Sequence, residues 1–361
     1  MRMLIAGGGT GGHLYPGVAL AEEVTTRQKG NEVLFVGTAR GIEARVIPEL
    51  GYPLELIEVV GIKNTGLAGL LKGLFRIPGA VFASRRIVSR FKPDIAVGVG
   101  GYASGPALVA AWLMGVPSVV LEQNTIPGFT NRVLARFFAK SVYVSFEKSI
   151  EFFPREKAHF FGNPIRRQLL DNFLEARRTN EKFTVLVLGG SQGAHAVNMR
   201  MVDAARSLAA LGLRIVHQTG EKDREDVARG YAEAGADADV KAFIKDMSAA
   251  YREADLVVAR AGATTIAELL VAKKASILIP FPHAADNHQE WNARALVDVG
   301  AAKMFVESDL DGAKLSAEIK ALFVDREALA RMEQAAGRAG RPEAAREIVD
   351  ACFELTKGAR S

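Results

Sequence analysis

The sequence of 361 residues lacks several features that would place it in particular classes of protein. It has one cysteine, Cys352, which excludes an intramolecular disulfide framework and fits a reducing cytoplasm. The first strand is predicted from residue 2, so we expect no signal peptide. The length favours two domains. A composition of 49% hydrophobic and 24% charged residues is typical of a globular protein with ample core.

Charged residues are absent from residues 95–121, a length that could resemble a membrane-spanning helix. Glycine and proline interrupt this stretch at Gly98, Gly100, Gly101, Gly105, Pro106, Gly115 and Pro117. Such punctuation is typical of buried strands, a loop and a helix in a parallel sheet. We therefore expect no membrane span.

Acidic residues are absent between Glu58 and Asp94, where apolar side chains alternate with basic ones. The basic residues are Lys63, Lys72, Arg76, Arg85, Arg86, Arg90 and Lys92. This segment predicts either attachment to an anionic membrane surface or an ordinary core helix with solvated cations. No aromatic and basic platform accompanies the charge, so no nucleic-acid partner is expected.

What the sequence does contain is a glycine-rich turn at the head of each half. The first, residues 7–13, follows a strand at 2–6, and the second, residues 189–195, follows a strand at 184–188. Each reads Gly-Gly, a short linker, Gly and later His, and each leads into a helix. Glycines let a ligand come close to the backbone, and the N–H groups at a helix N-terminus point toward it. This arrangement suits phosphate or pyrophosphate.

Strands and helices alternate in both halves, which predicts α/β domains with parallel, doubly wound sheets. We expect two Rossmann-like domains that face one another across a cleft: residues 1–162 with a returning helix at 342–361, and residues 163–341. The predicted strands are 2–6, 32–37, 53–60, 95–98, 118–122, 141–144, 184–188, 214–218, 240–243, 256–259, 275–279 and 302–305. The predicted helices are 16–29, 67–91 with a break at Pro78–Gly79, 104–114, 129–138, 196–211, 247–254, 264–271, 287–299 and 342–358.

A dinucleotide site is disfavoured, although Gly7, Gly9 and Gly12 match G-x-G-x-x-G. That fingerprint needs an acidic residue at the end of the second strand, and residues 32–38 end in Val-Gly-Thr. A metal site is also not expected, because the spacing of His283, Asp286 and His288 matches no usual zinc or iron pattern. We predict no cofactor.

Several polar residues are candidates for a sugar-nucleotide site. His13, on the first glycine turn, could act as a general base or merely cap its helix, whereas the structural interpretation is preferred for His195. Glu268, one turn into the helix after Arg260-Ala261-Gly262-Ala263, could accept hydrogen bonds from a ribose diol, while Thr264 or Thr265 could cap that helix. Amides such as Asn124 and Gln289 suit sugar hydroxyls, and Arg166 suits phosphate.

Six motifs in this order resemble the MurG family of bacterial peptidoglycan glycosyltransferases, over essentially the whole chain. They are residues 8–13 (GGTGGH), 100–106 (GGYASGP), 122–124 (EQN), 162–166 (GNPIR), 189–194 (GGSQGA) and 260–265 (RAGATT). The resemblance implies the two-domain GT-B fold. It implies an inverting transfer of GlcNAc from UDP-GlcNAc to the 4-hydroxyl of MurNAc in undecaprenyl-linked lipid I, which gives lipid II. It also implies a peripheral enzyme on the cytoplasmic face of the membrane, with proteins of cell-wall synthesis or division as candidate partners.

The resemblance also implies roles for residues of this chain. The second domain would bind UDP-GlcNAc, and the first would receive the lipid acceptor. His13 is the expected general base, with Glu122 as the second catalytic candidate, and Leu74, Phe75, Arg85 and Arg86 would reach the membrane. Ile244 would contact uracil. The expected contacts to UDP-GlcNAc are Thr10, Gly11, Gly12, Asn124, Arg166, Ser191, Ile244, Ala263, Thr264, Thr265, Ile266, Ala267, Glu268 and Gln289. Residues 280–289 are one residue longer than the family pattern, so either His288 or Gln289 would meet the donor sugar.

Two other functions share the expected fold and donor. A UDP-GlcNAc 2-epimerase is also an enzyme, but it should lack the basic and apolar segment at 63–92. A nonenzymatic sugar-nucleotide-binding protein would bind UDP-GlcNAc without turnover.

Overall fold

A computed structural model describes residues 1–59, 66–173, 181–190 and 193–358, with side chains throughout except at 66–76 and 358. The chain forms two compact units. One runs from Met1 to Arg167 and resumes at Pro342, and the other runs from Gln168 to Arg341. Each unit has its own parallel sheet covered by helices. The predicted α/β class with two doubly wound domains is therefore confirmed.

The strands are β1 (Arg2–Ala6), β2 (Glu32–Gly37), β3 (Leu54–Leu56), β4 (Ile95–Gly98), β5 (Ser118–Glu122), β6 (Ser141–Val144), β7 (Ala158–Phe160), β8 (Thr184–Leu188), β9 (Arg214–Gln218), β10 (Asp237–Lys241), β11 (Leu256–Ala259), β12 (Ser276–Leu278) and β13 (Ala302–Met304). The helices are α1 (Gly11–Arg27), α2 (Glu43–Glu49), α3 (Gly66–Phe91), α4 (Ser104–Leu113), α5 (Phe129–Phe137), α6 (Arg167–Phe173), α7 (His195–Ala209), α8 (Arg224–Glu233), α9 (Met247–Glu253), α10 (Ala263–Val271), α11 (His288–Asp298), α12 (Gly312–Val324), α13 (Arg326–Ala339) and α14 (Ala344–Gly358).

The first unit contains a seven-stranded sheet in the order β3-β2-β1-β4-β5-β6-β7. Its central strands are buried on both faces, as the continuous apolar runs predict. One face packs on α3, α4 and α5, and the other on α1 and α14. Ile348, Val349 and Cys352 of α14 are fully buried in that second core. The C-terminal helix therefore returns to the first unit, as expected.

The second unit contains a six-stranded sheet in the order β10-β9-β8-β11-β12-β13. Its first four strands repeat the arrangement of β3-β2-β1-β4 in the first unit. In both sheets the strand order reverses between two adjacent strands. These are β1 and β4 in the first unit and β8 and β11 in the second. Ligands of such sheets bind outside the carboxyl ends of the strands at this point. Both glycine turns lie there, because they follow β1 and β8 directly.

Most predicted strands are confirmed, but several elements differ. Helix α1 begins at Gly11 rather than at residue 16, because Pro16 removes one helical hydrogen bond without ending the helix. Likewise, α3 continues through Pro78. Strand β10 begins at Asp237, three residues before the predicted start at residue 240, because its pairing with β9 sets its limits. Strand β3 is shorter than predicted, and residues 60–65 lie outside the described part of the chain.

Some elements were not predicted at all. They are the short edge strand β7 and the helices α2, α6, α8, α12 and α13. Among the described helices, none combines the length and the apolar character that crossing a membrane requires.

The second glycine turn depends on close backbone approach at Gly193. Its φ is +79°, and a Cβ there would lie 2.0 Å from the carbonyl oxygen of Thr219. Gly212 is a matched control, because its φ is +68° and a Cβ there would lie in open space. We expect Gly212→Ala to lower the free energy of unfolding by about 1–2 kcal/mol, the cost of the left-handed backbone. Gly193→Ala should cost a further ~1–3 kcal/mol of overpacking.

Chemical denaturation of both variants and the parent tests this difference. Equal losses of unfolding free energy would show that the turn can move away from Thr219.

Candidate active site

The first glycine turn rests on the turn that follows β4. The φ angles of Gly7, Gly8 and Gly9 are all positive, and the Gly8 N–H donates to the Gly100 carbonyl at 3.2 Å. A Cβ on Gly101 would lie 2.5 Å from the Gly8 carbonyl oxygen. Two of the sequence motifs therefore meet backbone to backbone, since β1 and β4 are neighbouring strands.

A buried carboxylate that the sequence analysis missed, Glu43 of α2, braces this turn. Its side chain accepts hydrogen bonds from the Gly9 N–H at 2.7 Å, the Thr38 N–H at 2.9 Å and the Thr38 hydroxyl at 3.0 Å. An acidic residue thus does follow β2, but it binds protein backbone rather than a dinucleotide ribose. Its sequence signal is an acid just beyond two glycines, Gly37 and Gly41, whose Cβ atoms would collide with its side chain.

His13 lies in the first turn of α1, which Thr10 precedes as the N-cap with no side-chain capping bond. Its ring is partly buried, and its Nδ1 lies 3.1 Å from Oε1 of Gln123. Burial lowers the pKa of His13, although the neighbouring Gln123 side chain and Val99 carbonyl act in the opposite direction. The imidazole is therefore neutral near pH 7 and can accept a proton.

Glu122 ends β5 and is 1% exposed. One carboxylate oxygen accepts from the Asn124 N–H at 2.9 Å, and the other accepts from the Asn131 side chain at 2.8 Å and the Gly128 N–H at 3.3 Å. Burial raises the pKa of Glu122, and these hydrogen bonds oppose the rise. The carboxyl group therefore holds the loop that carries Asn124, which places Asn124 at the carboxyl edge of the sheet.

Arg166, the predicted phosphate ligand, belongs to the first unit and lies over a ring of α1. Its guanidinium carbon is 4.7 Å from the ring centroid of Tyr15. The next residue, Arg167, donates its backbone N–H to Glu22, also on α1, at 2.9 Å. These contacts fix residues 166–167 beside the helix that carries His13.

In the second unit, α7 begins at His195 with Ala194 as its N-cap and no side-chain capping bond. Ser191, a predicted donor contact, lies outside the described residues. His195 is exposed, and its Nδ1 lies 3.1 Å from Asp223. Asp223 also accepts from the Asn198 amide nitrogen at 2.7 Å, and the Asn198 amide oxygen accepts from Nε2 of the buried His217 ring at 3.0 Å. This network extends from the start of α7 into the core.

Gln218, at the end of β9, connects two predicted parts of the donor site. Its side-chain amide donates to the Gly190 carbonyl at 3.1 Å and accepts from the Ile244 N–H at 2.8 Å. Both Gln218 and Ile244 are 5% exposed. The amide thereby holds the glycine turn at a fixed distance from the segment predicted to contact uracil. Sequence reasoning did not identify Gln218.

Helix α10 carries the longest predicted segment, Ala263 to Glu268. Its N-cap is Gly262, which supplies no side-chain cap, so the predicted capping by Thr264 or Thr265 is wrong: both lie inside the first turn. Glu268 is partly buried, and one of its oxygens accepts from the Tyr251 hydroxyl at 3.0 Å. Tyr251 is fully buried, so its phenol positions this carboxylate.

The segment 280–289 has an unusual backbone. Asp286 and Asn287 both have φ near +50°, a strained conformation for residues other than glycine. The side-chain oxygen of Gln289 accepts from the Phe281 N–H at 3.0 Å. Nδ1 of His288 lies 2.7 Å from the carbonyl oxygen of Ala285. Arg260 also braces this segment, since it donates to the carbonyls of Ile279 and Pro280 at 3.1 Å.

The predicted membrane residues all lie on α3, but Leu74 and Phe75 belong to the part whose side chains are not described. Arg85 and Arg86 are exposed, and the Arg86 guanidinium carbon lies 4.6 Å from the ring centroid of Phe82. The Phe82 side chain is 54% exposed. The opposite face of α3, with Ile87 and Val88, packs in the core.

Within each unit the structure brings predicted residues together. His13, Gln123 and the first glycine turn form one group. Ile244, the second glycine turn and the start of α10 lie at the carboxyl ends of β8, β11 and their neighbours. In the described part of the chain no three His, Cys, Asp or Glu side chains cluster as metal ligands would.

The sequence matches the glycosyltransferase family 28 N-terminal domain over residues 3–144 and the glycosyltransferase family 28 C-terminal domain over residues 184–348. A relative from Myxococcus xanthus is 58% identical over 98% of this chain and 93% of its own length. It is named UDP-N-acetylglucosamine–N-acetylmuramyl-(pentapeptide) pyrophosphoryl-undecaprenol N-acetylglucosamine transferase.

Solved structures agree with these matches. The crystal structure of Acinetobacter baumannii MurG is 32% identical with a TM-score of 0.80, covering 98% of this chain and 99% of that chain. The UDP-GlcNAc 2-epimerase from Neisseria meningitidis has a TM-score of 0.66 over 98% of this chain and all of its own length. At 12% identity it shows the shared fold alone. The chain belongs to glycosyltransferase family 28 and, within it, to the MurG family.

Proposed function

We propose that this enzyme transfers GlcNAc from UDP-GlcNAc to N-acetylmuramyl-pentapeptide pyrophosphoryl-undecaprenol, lipid I, and thereby forms lipid II. The observation that carries the proposal is 58% identity, over 98% of the chain, to a relative named for this reaction. The geometry of both units supports it, since each places backbone N–H groups and polar side chains at the carboxyl ends of its central strands.

The first unit receives the acceptor in this proposal. His13 accepts the proton of the MurNAc 4-hydroxyl while that oxygen forms a bond to the anomeric carbon of GlcNAc. The bond from this carbon to the β-phosphate oxygen breaks, and UDP leaves with the electron pair. Attack opposite to the leaving group inverts the anomeric centre. Glu122 is the second candidate for the proton, but its hydrogen bonds favour a role in holding Asn124.

The second unit binds the donor. The N-termini of α7 and α10 lack side-chain caps, so their N–H groups can stabilise the pyrophosphate as its charge rises. Glu268 accepts from the ribose diol, Ile244 contacts uracil, and Gln289 meets the sugar. Arg166, Asn124 and residues 10–12, the other expected donor contacts, belong to the first unit. Ser191 is part of the same predicted phosphate site.

The first unit also binds the membrane surface in this proposal, on the cytoplasmic face where the acceptor headgroup lies. Support comes from the exposed cations Arg85 and Arg86 beside the exposed ring of Phe82. A cavity of about 330 Å³ lies between these side chains, Ser89 and Arg90. Basic side chains above an anionic leaflet and an inserted ring together give reversible attachment.

One assay separates the transferase from the two other functions. Radiolabelled UDP-GlcNAc is incubated with the enzyme and a lipid I analogue. Labelled glycolipid is the expected product. UDP-ManNAc would identify an epimerase, and binding without product would identify a nonenzymatic protein.

We expect His13→Ala to lower kcat by about 10²-fold or more, because a general base is lost, while UDP-GlcNAc binding is largely kept. Since burial lowers the pKa of His13 below the ordinary histidine value of about 6.5, the parent should keep its kcat/KM at pH 6.5 and lose it only at lower pH, as the imidazole becomes protonated. His159 of β7, an exposed histidine away from the turn, provides the control. His159→Ala should keep parental turnover. Parental turnover in His13→Ala would direct attention to Glu122.

We expect Glu268→Ala to weaken UDP and UDP-GlcNAc binding together, by roughly 1.5–3 kcal/mol for a charge-assisted pair of hydrogen bonds. Isothermal titration with UDP and 2′,3′-dideoxy-UDP measures the effect. The variant should no longer distinguish these ligands. Tyr251→Phe, which removes only the hydroxyl that contacts Glu268, should give a smaller loss. If Glu268→Ala still discriminates as the parent does, another residue binds the ribose.

Replacement of Phe82, Arg85 and Arg86 together by Ser should weaken binding to phosphatidylglycerol vesicles at least about 30-fold, since each cation contributes ~1 kcal/mol. Turnover of a short-chain, water-soluble acceptor should stay at the parental rate. Vesicle sedimentation at low and high salt is the measurement. The control replaces Arg229 and Val324, exposed residues of the second unit. Equal pelleting of all three proteins would refute the proposed surface. A second variant carries Leu74→Ser and Phe75→Ser in addition to the three substitutions at Phe82, Arg85 and Arg86.

A further inference from the structure

We propose that Gln123 is a positioning residue that fixes His13 in the tautomer with the proton on Nδ1, so that Nε2 is the nitrogen that accepts the acceptor's proton. The inference rests on the proposed role of His13 and adds which ring nitrogen reacts and what selects it. Gln123 follows β5 and is 1% exposed.

The orientation of the Gln123 amide follows from its two partners. Its Nε2 lies 3.0 Å from the carbonyl oxygen of Val99, which can only accept a hydrogen bond. The NH₂ group must therefore face Val99, and the amide oxygen must face His13, whose Nδ1 is 3.1 Å away. An amide oxygen can only accept. Nδ1 of His13 must therefore carry the proton, which leaves the lone pair of the neutral ring on Nε2.

The surrounding backbone prevents the alternative arrangement. Val99 is held by its own N–H, which donates to the Ala6 carbonyl at 2.9 Å. A flipped amide would place its oxygen against the Val99 carbonyl and its NH₂ group against Nδ1, inside the protein, at the cost of an unmade buried hydrogen bond. Gly100 gives the ring its space, because a Cβ there would lie 2.6 Å from Nδ1.

An amide at this position also differs in charge from a carboxylate. Glu43 of α2 braces the same glycine turn and Glu122 of β5 precedes Gln123, and both carboxyl groups accept hydrogen bonds from groups other than His13. Arg166 lies over Tyr15 of the same helix. His13 is thus oriented by a neutral partner, which sets the tautomer without stabilising the imidazolium form by charge. The lone pair on Nε2 stays available at neutral pH.

Two variants test the inference. Gln123→Leu removes the acceptor at Nδ1, and we expect the ring to populate both tautomers and kcat to fall at least about tenfold, with the KM for UDP-GlcNAc little changed. Gln123→Glu keeps the size and an acceptor oxygen but adds a charge. It should keep the Nδ1–H tautomer and raise the pKa of His13, so that the acid limb of kcat/KM moves about one pH unit or more toward higher pH.

The direct measurement is long-range ¹H–¹⁵N NMR of the full chain with labelled histidine, which distinguishes protonated from unprotonated ring nitrogens. Absence of a signal in His13→Ala assigns His13. His217, buried in the second unit, is the internal control for an intact fold, and its signals should not change.

The outcomes separate this inference from the function on which it rests. A parental tautomer and parental kcat in Gln123→Leu, or an unmoved acid limb in Gln123→Glu, would overturn the role of Gln123 even if His13 is the base. Full turnover in His13→Ala would instead overturn the base, whatever tautomer NMR shows. An Nε2–H tautomer in the parent would contradict the inference alone.

Discussion

The candidate site in the first unit depends on one backbone contact, the approach of the turn after β1 to the turn after β4. The Gly8 N–H bonds to the Gly100 carbonyl, and no side chain fits between Gly8 and Gly101. This contact brings α1, which carries His13, against the chain that continues from β4. Without it, His13 would not lie near Val99 and Gln123. The glycines therefore have a structural role beside the predicted phosphate contact, since they also place the ring.

Both units use a buried glutamine amide to join segments that follow different strands. Gln123 connects the chain after β4 with His13 of α1, and Gln218 connects the second glycine turn with Ile244. An amide has a donor and an acceptor in a fixed geometry, so it can bind a carbonyl on one side and an N–H on the other. It carries no charge, which limits the cost of its burial. Such bridges use contacts within the protein to hold the loops that are proposed to meet a ligand.

The fold was largely predictable because both sheets consist of buried strands with continuous apolar runs and glycine punctuation. Strands β1, β2, β4, β5, β6, β8, β9 and β11 were predicted with their observed limits. The misses have physical reasons. Strand β7 has three residues at a sheet edge. Strand β10 is only partly buried, with the exposed charged residues Asp237 and Lys241 at its ends. Its limits come from pairing with β9 rather than from its own pattern. Helices α12 and α13 belong to no strand–glycine–helix motif, and they begin directly after the N-cap residues Asp311 and Asp325.

For the site, the sequence pointed to the residues that are proposed to meet a ligand, but not to those that hold them in place. His13, Asn124 and Glu268 stand at the ends of strands or starts of helices, where motif spacing alone points to chemistry. Glu43, Gln218 and Tyr251 do not, because their partners are backbone groups or side chains distant in sequence. Such contacts exist only after the sheet has formed.

The neighbours Glu122 and Gln123 make contacts that their residue types alone do not predict. A carboxylate beside a polar cluster is the more obvious candidate for acid–base chemistry. In the structure Glu122 accepts hydrogen bonds from backbone and amide donors of Asn124, Gly128 and Asn131, and burial raises its pKa. The neutral Gln123 is the residue that touches the imidazole. Because a carboxylate in its place would stabilise protonated His13, the neutral amide favours an unprotonated imidazole at neutral pH, which is the state that the proposed role of His13 requires.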